Sequence, residues 1–379
     1  MYLDHGAATP IDKRVLSVMQ PYFSDYFYNP SSPYSPAVKV RHDYQNAKHT
    51  IAQQIGAKPD EIIITAGATE SINMAFSFVD GNVIVSKIEH HAILEAASKL
   101  EATLLDVDER GMVSADLVAK AITPKTQLVS VALANHELGT VQPIRDIATV
   151  ITAERQRRKS AGDKTPIYFH TDASQGIGQI DCNVARLGVD LLTLNAGKIY
   201  GPKQVGLLWF APHVRPKPFI VGGGQELGVR SGTENVAGTV GFAKALELAM
   251  EHRKSEYRRL EELRDEMQSR LLNAFPKLIV SGHKKHRLAG HLHISVPGLD
   301  AERLVFTLEA RGVYLATGSA CAANKGTRSN VLVAIGMSPE LADGSLRITL
   351  GRLSDEKNIN EATEIIIEEV QKEYARLGK

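Results

Sequence analysis

Cysteine is nearly missing from this chain. Its 379 residues include two, Cys182 and Cys321, too few for a disulfide framework and suited to a reducing compartment. A surplus of charge is also missing. With 44 basic and 43 acidic residues the net charge is +1, which gives no electrostatic case for binding nucleic acid or a membrane surface. No apolar run approaches the length that spans a bilayer. The opening Met1-Tyr2-Leu3-Asp4-His5-Gly6 lacks the basic region and apolar stretch of a secretory signal. Internal repeats and low-complexity tracts are absent, and no metal site is expected. These absences leave a cytoplasmic chain long enough for a large domain and a smaller one.

What is present is an alternation of apolar runs and helical stretches. Glu61 to Thr65, Val83 to Ser86, Leu128 to Leu133, Ile167 to Thr171, Val189 to Leu194 and Val205 to Phe210 read as strands. Most are apolar throughout, as expected of a sheet covered on both faces. Helical segments between them imply βαβ units, hence an α/β fold with a mostly parallel sheet covered by helices. In Arg253 to Leu272, the residues Leu260, Leu263, Met267 and Leu271 recur at helical spacing, with Pro276 just beyond. This reads as a long helix bridging from a large domain, residues 1–252, to a smaller α+β domain, residues 253–379, on which the N-terminal segment could pack. The smaller domain ends in another amphipathic helix from about Ser354. Two basic clusters, Arg155 to Lys159 and His283 to Arg287, read as solvated loops rather than binding patches.

The chemistry begins at Lys198, in the run Leu194-Asn195-Ala196-Gly197-Lys198-Ile199-Tyr200-Gly201-Pro202-Lys203. An apolar strand delivers this lysine into a glycine-flanked turn, and the Ile167 strand leads to a carboxylate, Asp172. Pyridoxal phosphate needs such a pair: a lysine for a Schiff base, and an acid to keep the pyridine nitrogen protonated. Singly, each is an ordinary surface lysine or strand-end aspartate.

Four further segments stand where active sites gather in parallel sheets, beyond strand ends or in a small-residue loop. Gly67-Ala68-Thr69-Glu70-Ser71 links a strand to a helix and suits a phosphate, with helix capping by Thr69 as the plain alternative. Glu89-His90-His91 could set an imidazole over a planar ring and move protons, or be solvated. Ala134-Asn135-His136-Glu137-Leu138-Gly139 suggests a substrate-facing loop, or a turn that accounts for Asn135 and Gly139. Finally, Cys321 sits in a small, polar stretch where Lys325 and Arg328 would favour its thiolate, while Cys182 reads as a packing residue.

On these residues the chain resembles the cysteine desulfurases, pyridoxal-phosphate enzymes that take sulfur from cysteine for iron–sulfur cluster and thio-cofactor synthesis. The resemblance runs from Tyr2-Leu3-Asp4 and Ala7-Ala8-Thr9-Pro10 to Ser345-Leu346-Arg347-Ile348-Thr349-Leu350-Gly351-Arg352. Its most specific parts are Gly222-Gly223-Gly224-Gln225-Glu226, Arg230-Ser231-Gly232-Thr233 and Gly318-Ser319-Ala320-Cys321. The stretch after Cys321 looks long, as in the branch whose catalytic cysteine swings between substrate and acceptor.

The resemblance implies a fold-type I enzyme working as a homodimer on L-cysteine, with a scaffold protein as sulfur acceptor. Lys198 would hold the cofactor, Asp172 pair with its ring nitrogen and Gln175 bond its hydroxyl. His90 would stack on the ring and move protons. Ala68 and Thr69 would hold the phosphate, with Thr233 reaching across to the other subunit. Asn135 and Arg347 would meet the substrate, Arg347 at its carboxylate. Cys321 would take the sulfur as a persulfide. Three positions depart from the family. Asn195 and Gly197 stand where a serine and a histidine usually touch the phosphate, and His136 stands where an asparagine usually lies near the ring. A selenocysteine lyase, another C–S lyase and a non-catalytic scaffold are the alternatives.

Overall fold

The structure is a computed structural model that describes residues 1–318 and 328–378. Seven strands form the larger sheet: β1 (Ile62–Thr65), β2 (Asn82–Ser86), β3 (Ala102–Leu105), β4 (Thr126–Ser130), β5 (Tyr168–Asp172), β6 (Leu191–Asn195) and β7 (Gly206–Phe210). They lie in the order β1-β7-β6-β5-β4-β2-β3. The pairs β2–β3, β2–β4, β4–β5 and β5–β6 are parallel, and only β7 runs against its neighbours. The chain thus has the expected α/β class with a mostly parallel, helix-covered sheet. Strands β1, β2 and β7 are buried at every residue, as a sheet covered on both faces requires.

The topology positions the site. Because β7 is antiparallel to both β1 and β6, the carboxyl end of β1 comes to the same sheet edge as those of β2, β4, β5 and β6. Gly206 pairs with Thr65 on one side and Asn195 on the other, so the two turns that follow start at the same level.

A second, antiparallel sheet has the order β10-β11-β9-β8, formed from β8 (Ile279–Ser281), β9 (His291–Ser295), β10 (Ala316–Thr317) and β11 (Ser345–Thr349). It has its own core, built from Leu292, Ile294, Leu346 and Ile348 with residues of the C-terminal helix Glu356–Arg376. Leu3 belongs to that core, and bridges Tyr2 to Tyr314 and Asp4 to Thr349 lay the N-terminal segment along it.

One helix of 39 residues, Val236–Ala274, serves both cores. Residues up to Ala249 pack under the large sheet, while Leu260, Met267 and Leu271 pack under the small one. It starts well before the expected Arg253, because small residues such as Gly238 and Gly241 disguise its buried first half. Strand β3 was not expected either: it is an edge strand, and its mostly exposed residues give no apolar run.

The Arg155–Lys159 cluster corrects the reading of solvated loops. It ends the helix Ile144–Ser160, where Arg158 is buried and donates to the carbonyls of Thr123 and Thr126, both at 2.9 Å. In the second cluster Arg287 is likewise buried, bonded to Gln268 at 3.0 Å. Among the described residues, no helix is long and apolar enough to cross a membrane.

Candidate active site

The turn after β1 is built as an anion cradle. Gly67 precedes the helix Ala68–Ser77 at φ 132°, a conformation open to glycine and avoided by other residues. No side chain caps this helix, and Thr69, expected either to cap it or to hold phosphate, lies exposed in its first turn. The leading N–H groups and the positive end of the helix dipole therefore face a space that a Cβ on Gly67 would leave empty. Glu70, the one acid of this turn, is held aside by Arg230 at 2.8 Å and by the amide of Ala66 at 2.9 Å.

The turn after β6 faces it across β7. Asn195 uses its Oδ1 to accept from the Gly197 amide at 3.0 Å, which closes the short helical turn that lifts Lys198. Lys198 Nζ donates to the carbonyls of Gly6 and Ala7, at 2.8 and 2.7 Å. Gln175, on the turn after β5, donates to the same Gly6 carbonyl at 3.0 Å. Gly67, Ala68, Thr69, Asn195, Gly197 and Lys198 line one cleft of about 570 Å³.

Asp172 ends β5 and accepts from the Ser174 amide at 2.9 Å. His90 is the N-cap of the helix His91–Ala97, and its Nδ1 accepts from the Ala92 amide at 3.1 Å. Burial holds the His90 imidazole below its ordinary pKa, while the nearby Asp172 carboxylate pulls it upward. His136 stands edge-on to it, with ring centroids 5.2 Å apart and planes at 73°. Burial, and then the neighbouring His90, keep His136 well below the ordinary range.

Arg347 enters from β11. It bonds Asp4 at 2.9 Å and reaches the His136 carbonyl at 3.4 Å, while its buried Nε has no partner. A guanidinium with an unused N–H, already resting on one carboxylate, suits a second carboxylate from a substrate.

Two expected residues lie apart from this group. Asn135 is buried and spends its side chain on the loop: Nδ2 donates to the Ile88 carbonyl at 2.9 Å, and Oδ1 accepts from the amides of Glu137 and Leu138. These bonds fit the plain structural alternative. Thr233 is exposed and does not line the cleft. The strap leading to it is tied down by Glu226, which accepts from Tyr44, Lys48 and the Ile64 amide, and by Arg230 on Glu70.

Cys321 and Lys325 lie outside the described residues. Arg328, expected to favour a thiolate there, is engaged by Asp343 at 2.8 and 2.9 Å. Cys182 is buried, and burial pushes its thiol up to about 12, an unreactive state.

Three site residues escaped the sequence reading. Glu89 accepts from Ser86 Oγ at 2.6 Å and from the Ala132 amide, and burial raises its carboxyl to about 8. Glu137 accepts from Ser329 Oγ at 2.6 Å and is raised to about 7, also by burial. Lys203 lines the cleft and donates to the Thr9 carbonyl at 2.6 Å. Both glutamates sit beside the noted histidines, but only their depth in the fold makes them unusual acids. Lys203 had a signal, its place in the Gly201-Pro202-Lys203 turn after Lys198. Among the described residues, no group of three or more His, Cys, Asp or Glu could hold a metal.

Comparison with known proteins places this geometry in a family. The model of the class-V aminotransferases matches residues 1–361. The chain is 39% identical to the cysteine desulfurase IscS of Dictyoglomus turgidum, covering 98% of this chain and 95% of that one. A solved NifS-like protein aligns with a TM-score of 0.88 at 31% identity, over 97% of this chain and 98% of the other. A structure described as SspA in complex with cysteine aligns at 0.77 with 33% identity, over 92% and 98%. The chain belongs to the class-V aminotransferase family, in its cysteine desulfurase branch, and has the fold-type I architecture. The cofactor of this family is pyridoxal 5'-phosphate. The residues present fit that group: an uncapped helix start with an open glycine cradle stands beside a lysine amine, within one cleft.

Proposed function

We propose that this chain is a pyridoxal-phosphate-dependent cysteine desulfurase, which converts L-cysteine to L-alanine and takes the sulfur as a persulfide on Cys321. The observation that carries the reading is the meeting of the Gly67–Thr69 cradle and Lys198 in one cleft, with Asp172, His90 and Arg347 gathered nearby. When bound, pyridoxal phosphate supplies an electron sink conjugated to the substrate amine. Lys198 would hold it covalently, the Ala68 and Thr69 amides would hold its phosphate, and Asp172 would keep its ring nitrogen protonated. Arg347 would orient the substrate carboxylate, and His90 would present a proton from its Nε2. The Cys321 thiolate would attack the substrate sulfur; the C–S bonding electrons stay with carbon, which a proton then completes to alanine.

The same reading makes the protein a cytoplasmic homodimer that hands sulfur to a scaffold protein for iron–sulfur cluster or thio-cofactor synthesis. Exposed Val221 and Leu227, on the strap that leads to Thr233, and exposed Phe23 and Phe27 support a subunit contact. The scarcity of cysteine supports the reducing compartment.

The test is Cys321→Ser. Neither cofactor binding nor substrate binding uses this thiol, so the variant should keep the visible cofactor absorption and its response to L-cysteine, yet form no alanine. Mass spectrometry of the parent after turnover without acceptor should find added sulfur on Cys321. Alanine formation by the variant at the parent rate would instead favour a lyase that needs no nucleophilic cysteine.

A further inference from the structure

His90 has only one nitrogen with which to exchange protons. Its Nδ1 accepts from the Ala92 amide, so its lone pair is there and the proton of the neutral ring is on Nε2. In this tautomer His90 can give a proton but cannot take one unless the helix cap opens. A substrate entering as an ammonium ion must nevertheless lose a proton before its nitrogen can act as a nucleophile. The acceptor must be another group.

His136 is placed for that task. It lies edge-on to His90 at 5.2 Å between centroids, and Arg347, the proposed carboxylate clamp, donates to its backbone carbonyl. His136 therefore touches His90 through its ring and Arg347 through its backbone. Its Nε2 is 3.7 Å from Glu137 Oε1, and the other oxygen of Glu137 accepts from Ser329.

We propose that His136 is a further acid–base residue of this site, which takes the proton of the substrate ammonium and passes it to Glu137. The transfer balances simply. The ammonium becomes an amine as His136 takes its proton on one ring nitrogen and yields the proton of the other to the Glu137 carboxylate, which becomes a carboxylic acid; the relay spares the buried ring a lasting charge. Burial of Glu137 brings its carboxyl to about 7, so it holds and releases a proton near neutrality. The charged and titratable groups facing His136 are His90, Arg347, Lys198 and His91, and Arg347 also faces Glu137. Burial first, and then Lys198, Arg347 and His91, disfavour a proton on either ring, while Asp172 favours one on His90.

The proposal rests on the desulfurase reading, and the experiment separates the two. Histidine ¹⁵N shifts in the cofactor-loaded protein should show His90 as the Nε2–H tautomer across the neutral range. His136→Asn should lower kcat/KM for alanine formation by about a hundredfold near neutrality, the order expected for a positioned base. The loss should shrink as pH rises and the substrate amine deprotonates in solution. Glu137→Gln, which keeps an oxygen for Ser329, should give a smaller loss with the same pH dependence. An Nδ1–H tautomer on His90, or a loss in both variants that does not change with pH, would overturn the proposal. A parent enzyme that forms no alanine at any pH would refute the desulfurase reading instead, and the tautomer can be read in either case.

Discussion

A side-chain carbon on Gly206 would stand 2.7 Å from the Cα of Gly67. Strand β7 thus approaches the turn after β1 so closely that only hydrogen fits between them. Gly206→Ala should push that turn outward. Overpacking of this kind costs about 1–3 kcal/mol, so the thermal midpoint should fall by several degrees and the cofactor should be lost faster on dialysis. Unchanged retention would mean that the cradle does not depend on this contact.

Lys198 donates to two carbonyls of the N-terminal segment, so its amine is held ready at the cleft rather than free in solvent. Lys198→Ala should abolish both the borohydride-reducible bond to the cofactor and the alanine-forming activity. A variant that kept a reducible bond would point to another lysine, with Lys203 in the same cleft the first to examine.

Asn195 and Gly197 line the cleft beside the Gly67 turn. The backbone of Gly197 is outside the left-handed region, and a Cβ there meets Asn195 Oδ1 at 3.3 Å as its nearest neighbour. Asn195→Ser together with Gly197→His removes that crowding and adds donors. Each new charge-assisted hydrogen bond is worth about 1.5–3 kcal/mol, so cofactor affinity should rise at least tenfold, measured by dialysis or titration of the apoprotein. No gain would show that Lys203 already fills the role.

Glu89 makes stability depend on pH. Its carboxyl is raised from the ordinary 4.5 to about 8 by burial, against the opposing bonds from Ser86 and Ala132. The folded chain therefore holds a proton that the unfolded chain releases. This contribution to stability is complete below about 4.5 and is lost as pH rises through about 8. Glu89→Gln, neutral at every pH, should flatten that fall and be more stable than the parent at the alkaline end in urea unfolding. A parallel pH dependence in parent and variant would assign the effect to other groups.

Features that obey local rules are legible in the residues alone. Buried strands read as apolar runs because both faces are covered. Lys198, Asp172 and the Gly67–Thr69 turn were legible because glycine, a strand end and a reactive side chain fall within a few residues of each other. The same locality explains what could not be read. Arg158 looks like any surface arginine until the fold closes two carbonyl-bearing segments around it. Asn135 looked like a substrate contact, and only the loop's closure shows its amide bonded to Ile88, Glu137 and Leu138. The first half of the Val236–Ala274 helix was hidden because small residues pack closely without an amphipathic stripe.

Tertiary structure alone decided which turns meet. Reversal of β7 brings Thr65 and Asn195 level across Gly206, and pairing of β11 carries Arg347 to Asp4, a contact between opposite ends of the chain. It also decided how Glu89, Glu137 and His136 titrate, because desolvation depends on everything packed around a group and not on its neighbours in sequence.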